Sequence, residues 1–223
     1  MSGAGVVVGD DGLARCPWAT SAPEYVAYHD TEWGRRLEGD DALFERLTLE
    51  AFQSGLSWLT ILRKRPAFRD AFDGFSVPAV AAFGPKDEAR LLADAGIVRN
   101  RAKIAATLAN ARAAVGLPGG LSALLWSYAP TTAAKPPRTL ADVPSTSAES
   151  VAMARGLKAR GFVFVGPTTA YALMQATGMV DDHLAACHAR GAVGTGAGPV
   201  RSTRSGRSRR SGPPPAAAAP RTS

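Results

Sequence analysis

Two pairs of potential metal ligands stand near opposite ends of this chain, and they constrain its fold more than any other feature. Twelve residues separate Cys16 from His29, and three separate His183 from Cys187. The four include both cysteines and two of the three histidines. Two thiolates and two imidazoles form a complete tetrahedral donor set for a closed structural zinc. Held on one ion, they would tie the N-terminal segment to the C-terminal one. Neither half has the C-x2-C spacing that marks a zinc site by itself. Spacing alone therefore leaves a second reading, two small buried thiols and two unrelated imidazoles. On a helix, His183 and Cys187 at i and i+4 would share a face.

A chain of 223 residues can bury a sizeable core as one domain or two small lobes. The net charge of +7 is unevenly placed. After residue 188 there are seven arginines and no acid, so the first 188 residues hold 19 basic and 19 acidic side chains. Residues 191–223 are mostly Gly, Ser, Arg, Pro and Ala, with a few Thr and Val and no larger apolar side chain. Such a segment cannot offset its ordering entropy, so a disordered tail is expected. It is either a solubilising extension or a sequence-independent attraction for phosphates. Residues 1–13 read as a flexible start and 14–190 as the folded domain. No signal peptide or spanning segment is expected, and two distant cysteines do not suggest a disulfide framework. A cytoplasmic monomer with no obligate protein partner is expected.

Helical patterning runs through the middle, and the expected class is all-α. Asp40 or Asp41 opens a helix with Leu43, Phe44, Leu47, Ala51 and Phe52 at helical spacing. Pro66 and the Gly74 region close the next segment. Pro78 starts a short helix to Phe83, and Pro85 with Asp87 starts another that ends at Gly96. Asn100 caps a helix with Ile104, Leu108, Ala111 and Val115, closed by Gly116. Leu121 to Tyr128 is a short apolar helix, and Pro130 to Pro144 a loop. Thr146 and Glu149 have capping-box spacing for a helix ending at Gly161. Residues 162–165, FVFV, form an extended connector to a last helix ending at Gly178.

Residues 91–104 read as helix, turn, helix. Gly96 lets the chain reverse, and Ile97 and Val98 plug the space between the helices. Asn100 and the N–H groups after it form a helix N-terminus that attracts phosphate, beside the cations Arg99, Arg101 and Lys103. The segment is either a DNA-binding hairpin or an ordinary helical hairpin with a solvated basic end. Glu50 follows Leu43 by seven residues and Leu47 by three, so it lies on the apolar side of its helix. A carboxylate there is costly unless paired. It is either a functional group or an acid bonded to a buried amide or arginine.

Several stretches resemble the DNA-3-methyladenine glycosylase I family: CPW (16–18), YVAYHDTEWG (25–34), LEAFQSGLSWLTILRKR (49–65), DAGIVRNRAKI (94–104), LWSY (125–128), PSTS (144–147) and KARGFVFVGPTTAYALMQATGMVDDH (158–183). They run from about Arg15 to Cys187 in the family's order. The resemblance implies a two-lobed, all-α helix-hairpin-helix glycosylase acting on double-stranded alkylated DNA. It places one structural zinc on Cys16, His29, His183 and Cys187, with no position left for a catalytic water. It places the base pocket on Tyr28, Trp58 and Glu50, with Trp33, Trp18, Tyr25 and Gln53 nearby. DNA contacts fall on Gly96, Arg99, Asn100, Arg101 and Lys103. Ala51 and Phe52 depart from the small or polar residues common in the family, which affects the pocket wall. A glycosylase must extrude its base, and N3 alkylation makes adenine cationic, so aromatic faces and one acid suit it.

The catalytic aspartate of many relatives in the wider superfamily has no counterpart, because no Asp or Glu lies between Asp94 and Asp142. The expected reaction is hydrolysis of an already weakened bond, with DNA phosphates stabilising the sugar cation. Asp181 or Asp182 is read as a helix start or as an orienting partner of His183, and His188 as spare.

Overall fold

The computed structural model describes residues 5–191. The expected disordered tail, 191–223, lies outside them from residue 192 on, as do residues 1–4. Part of the supposed flexible start is ordered. Val7–Val8 (β1) pairs antiparallel with Ala14–Arg15 (β2), and Arg15 is clamped by Asp11 and Asp30 at 2.6 and 2.7 Å. The rest is helical, as expected: α1 Pro23–Thr31, α2 Asp40–Gln53, α3 Trp58–Ala71, α4 Val77–Ala81, α5 Pro85–Ala93, α6 Arg101–Val115, α7 Gly120–Trp126, α8 Ala148–Ala159 and α9 Pro167–Ala176.

Helix α2 is the centre of the packing and touches α3, α4, α6, α7 and α9. Its acids Asp40 and Asp41 begin it where the dipole favours negative charge. They also reach outward: Asp41 accepts from the Val77 N–H and Asp40 from the Ser122 N–H, each at 2.8 Å. Phe44, Phe52, Phe68, Phe72 and Phe75 are fully buried and pack edge-on or stacked along this side. Such rings gain both from area removed from water and from their mutual geometry. A separate small cluster joins Cys16, Leu184, Cys187 and Ala189.

Several boundaries differ from the sequence reading. Helix α3 continues through Pro66, because burial of Ile61, Phe68 and Ala71 holds both flanks; packing outweighs the lost hydrogen bond. Helix α8 is capped by Ser147 with Ser150, not by Thr146 with Glu149. Helix α4 starts at Val77 and stops at Ala81, and α9 ends at Ala176. Helix α5 ends at Ala93 rather than Gly96. Gly96 serves through close approach, since a Cβ there would lie 3.0 Å from the Ala67 methyl. His183 and Cys187 sit in irregular turns, so the shared helical face does not exist.

Candidate active site

A cleft of about 520 Å³ is lined by Trp18, Tyr25, Tyr28, Trp33, Glu50, Gln53 and Trp58, the full set anticipated from the sequence, together with Gln175 and Asp182. Helix α1 supplies Tyr25 and Tyr28, α2 supplies Glu50 and Gln53, and α3 opens on Trp58. Ser57 caps α3 by accepting from the Thr60 N–H, and the Tyr25 hydroxyl accepts from the Leu59 N–H at 3.0 Å. These bonds satisfy two of the free donors at a helix start and fix where Trp58 stands. The rings brace one another: Tyr28 and Trp58 have centroids 5.4 Å apart, Trp18 and Trp33 5.0 Å, and Trp18 and Tyr25 5.8 Å.

Glu50 is 6% exposed, and no hydrogen bond to it forms among the described residues. Burial pushes its carboxyl up to about 7, against the pull of the Arg46 cation. Trp58 Nε1 is likewise buried without a partner. A buried donor without a partner is rare in folded proteins, and beside a carboxylate that lines the same cleft it marks a place for a polar ligand.

Two residues went unnoticed in the sequence. Arg46 is buried and donates to the Tyr28 hydroxyl at 2.8 Å and to Glu32 at 3.2 Å. Arg65 grips the same Glu32 at 2.6 Å. Its i, i+4 relation to Glu50 places Arg46 on the same helical face, which is the signal that could have revealed it. Asp182 lines the cleft and accepts from the Tyr171 hydroxyl at 2.7 Å and Gln175 Nε2 at 2.8 Å. It starts no helix, contrary to that expectation.

Beside the cleft, the Cys and His residues from the two ends meet. Ligand atoms of Cys16, His29 and Cys187 lie within 4.8 Å of one another. The His183 ring stands edge-on to His29 at 4.9 Å between centroids, and its Nε2 is buried with no partner. Asp30 holds His29 Nδ1 at 2.7 Å, and Asp181 holds His183 Nδ1 at 2.9 Å. Both rings thus direct Nε2 away from their carboxylates, as metal-binding imidazoles do. The two thiols share a hydrogen bond, which draws Cys187 down, helped by His29, and pushes Cys16 up. Gly34 makes room for this arrangement: its φ is +74°, and a Cβ would lie 2.5 Å from His183 Cε1. His188 is not spare, since its Nε2 contacts Asp30 at 2.9 Å.

Helices α5 and α6 pack on each other across the connection 94–100. Asn100 caps α6 by accepting from the Lys103 N–H at 3.1 Å, Ile97 is buried, and Arg99 is exposed. Arg101 is exposed and pairs with Glu88 at 3.0 Å. Lys103 must be removed from the DNA-contact set. It is buried and donates to the Phe52 and Ser54 carbonyls at 2.8 and 2.6 Å, which neutralises the end of α2 instead.

Comparison with known proteins agrees with this geometry. The methyladenine glycosylase family model matches residues 18–190. DNA-3-methyladenine glycosylase 1 of Escherichia coli is 41% identical over 182 residues, covering 78% of this chain and 96% of the relative. A crystal structure of 3-methyladenine DNA glycosylase I superposes with a TM-score of 0.75 at 40% identity, covering 78% of this chain and 98% of the other. The Staphylococcus aureus enzyme, solved to explain its recognition of 3-methyladenine, gives 0.74 at 34% identity, covering 78% and 95%. The chain belongs to the methyladenine glycosylase family.

Proposed function

We propose that this protein is a monofunctional DNA glycosylase that extrudes N3-methyladenine from alkylated duplex DNA, hydrolyses its N-glycosidic bond and leaves an abasic site. The observation that carries this reading is the unpaired Glu50 carboxylate inside a cleft of aromatic rings. A flat cation satisfies both parts of that cleft at once. Its faces meet electron-rich rings, and its exocyclic amine can donate to Glu50. A neutral adenine gains less from either. Because the methylated base is already positively charged, the C1′–N9 bond breaks with its electron pair passing to the base, which leaves neutral. Water adds to the sugar cation and loses a proton to solvent, and the DNA phosphates stabilise that cation.

The Cys and His cluster fits one structural zinc on Cys16, His29, His183 and Cys187. The orphaned His183 Nε2, the convergence of Cys16, His29 and Cys187 and the two orienting carboxylates support this assignment. Four protein ligands would make the ion a cross-link between the chain ends rather than a source of activated water.

The α5–α6 segment is read as a helix-hairpin-helix element, part of the family's two-lobed arrangement. It would meet a phosphate through Gly96, Asn100 and the α6 N-terminus, with Arg99 and Arg101 adding charge. A monomer working on cytoplasmic DNA accords with this, and among the described residues no helix is long and apolar enough to cross a membrane.

The test is chemical. Purified protein is incubated with methylated duplex, and the released bases are separated and identified. Release of 3-methyladenine without strand cleavage or borohydride trapping is expected. Release of a different base, or a trapped covalent adduct, overturns the reading.

A further inference from the structure

Of the buried polar side chains of helix α6, Lys103 and Asn110 stand seven residues apart and each pins a surface loop. Lys103 holds the carbonyls of Phe52 and Ser54, at the root of the loop that ends in exposed Leu56. Asn110 is 2% exposed and forms a reciprocal pair with Val163, accepting from its N–H at 2.8 Å and donating to its carbonyl at 3.1 Å. This second clamp does not bury the apolar residues of its loop. Val163 and Phe164 each remain 45% exposed, and Phe164 has φ +61°, an uncommon conformation for a bulky side chain. A strained, exposed aromatic residue held by a buried clamp points to a function at that spot.

Its location indicates the partner. Ser54 borders a groove lined by Phe162 to Gly166, Thr169 and Lys158. Its neighbour Gln53 lines the base cleft. Gln53 and Ser54 thus set the base cleft and this groove side by side at the end of α2. The lining of this groove includes a lysine and no acid, and Arg160 is exposed on the same connection, which suits a phosphate backbone.

We propose that the 162–166 loop is a second DNA-contacting element, with Phe164 stacking on a base laid open where the target nucleotide has left the helix. This rests on the glycosylase reading above. Apolar wedges commonly hold kinked duplexes this way, and losing one stacking contact is worth roughly tenfold or more.

The experiment compares wild type, Phe164→Ala, Phe164→Trp and, as an exposed apolar control, Val115→Ala. Three quantities are measured: single-turnover release of 3-methyladenine from methylated duplex, binding of free 3-methyladenine by tryptophan fluorescence, and emission of 2-aminopurine placed beside the lesion. Phe164→Ala is expected to slow duplex excision roughly tenfold and to abolish the 2-aminopurine change, with free-base binding altered less than about twofold. Phe164→Trp should retain the wild-type rate. The proposal is overturned if Phe164→Ala excises from duplex at the wild-type rate. Equal weakening of free-base binding also overturns it, since that would signal a collapsed pocket. A wild-type protein that releases no methylated base would instead remove the glycosylase reading itself.

Discussion

Replacing Glu50 with glutamine should stabilise the protein while removing its hold on the cationic base. The carboxyl rises from 4.5 to about 7 because burial disfavours its charge. The folded state therefore holds a proton that the unfolded chain has already lost between those two values. Stability from this group is full below pH 4.5, declines as pH rises towards 7, and stays low above it. A rise from 4.5 to about 7 corresponds to about 3 kcal/mol. Glutamine has nearly the same shape and no charge, so Glu50→Gln recovers most of that cost at pH 8 and little at pH 4.5. For a domain of this size, about 3 kcal/mol moves Tm by roughly 6–12 °C. Thermal melts of both proteins across this pH range are the assay. Addition of 3-methyladenine should raise Tm of the wild type by mass action but leave the variant almost unchanged. An equal Tm difference at pH 4.5 and pH 8 would refute the reasoning, as would a Glu50→Gln protein that excises at full rate.

The same carboxyl sets a pH dependence of activity: excision under substrate-limited conditions should rise with pH to a plateau above about 7, and a flat profile from pH 5 to 8 would contradict it. Purified protein should carry one zinc by elemental analysis, and Cys16→Ala should lose it and melt earlier; unchanged metal content and Tm would remove the cluster from consideration. Arg99→Ala should weaken DNA binding across all sequences and reduce the salt slope by about 1, whereas Lys103→Met should leave that slope intact and destabilise the fold by about 1–3 kcal/mol through two unmet carbonyls. Gly34→Ala should cost more than about 1 kcal/mol, measured by denaturant unfolding, because of its positive φ and the His183 ring behind it.

The helices that the sequence revealed are those whose signals are local. Asn100 and Gly116 bracket α6, and Asp40 begins α2, because caps and apolar periodicity act within one element. Glu50 was legible for a related reason, as an acid on an apolar stripe. Pro66 misled because the preference it expresses is local, while the packing of Ile61 and Phe68 that overrides it is tertiary. Lys103 misled in the opposite sense. Its charge and position suit a phosphate contact, yet the end of α2 lies closer and claims it. The His183 and Cys187 spacing suggested a shared helical face, but the backbone there is irregular, and it is Cys187 that meets Cys16 and His29 while the His183 ring stands edge-on to His29. Asp182 was read as a helix start or a partner of His183, and its place in the cleft was not legible, because it depends on the tertiary contacts in which Tyr171 and Gln175 donate to it.

A crystal soaked with 3-methyladenine examines most directly whether this hollow was shaped for a damaged purine. The account expects the base against Trp58 and Tyr28, with its amine on Glu50 and the side chains close to their positions here. A base bound elsewhere, or lying in the cleft with Glu50 turned away and solvated, would contradict it.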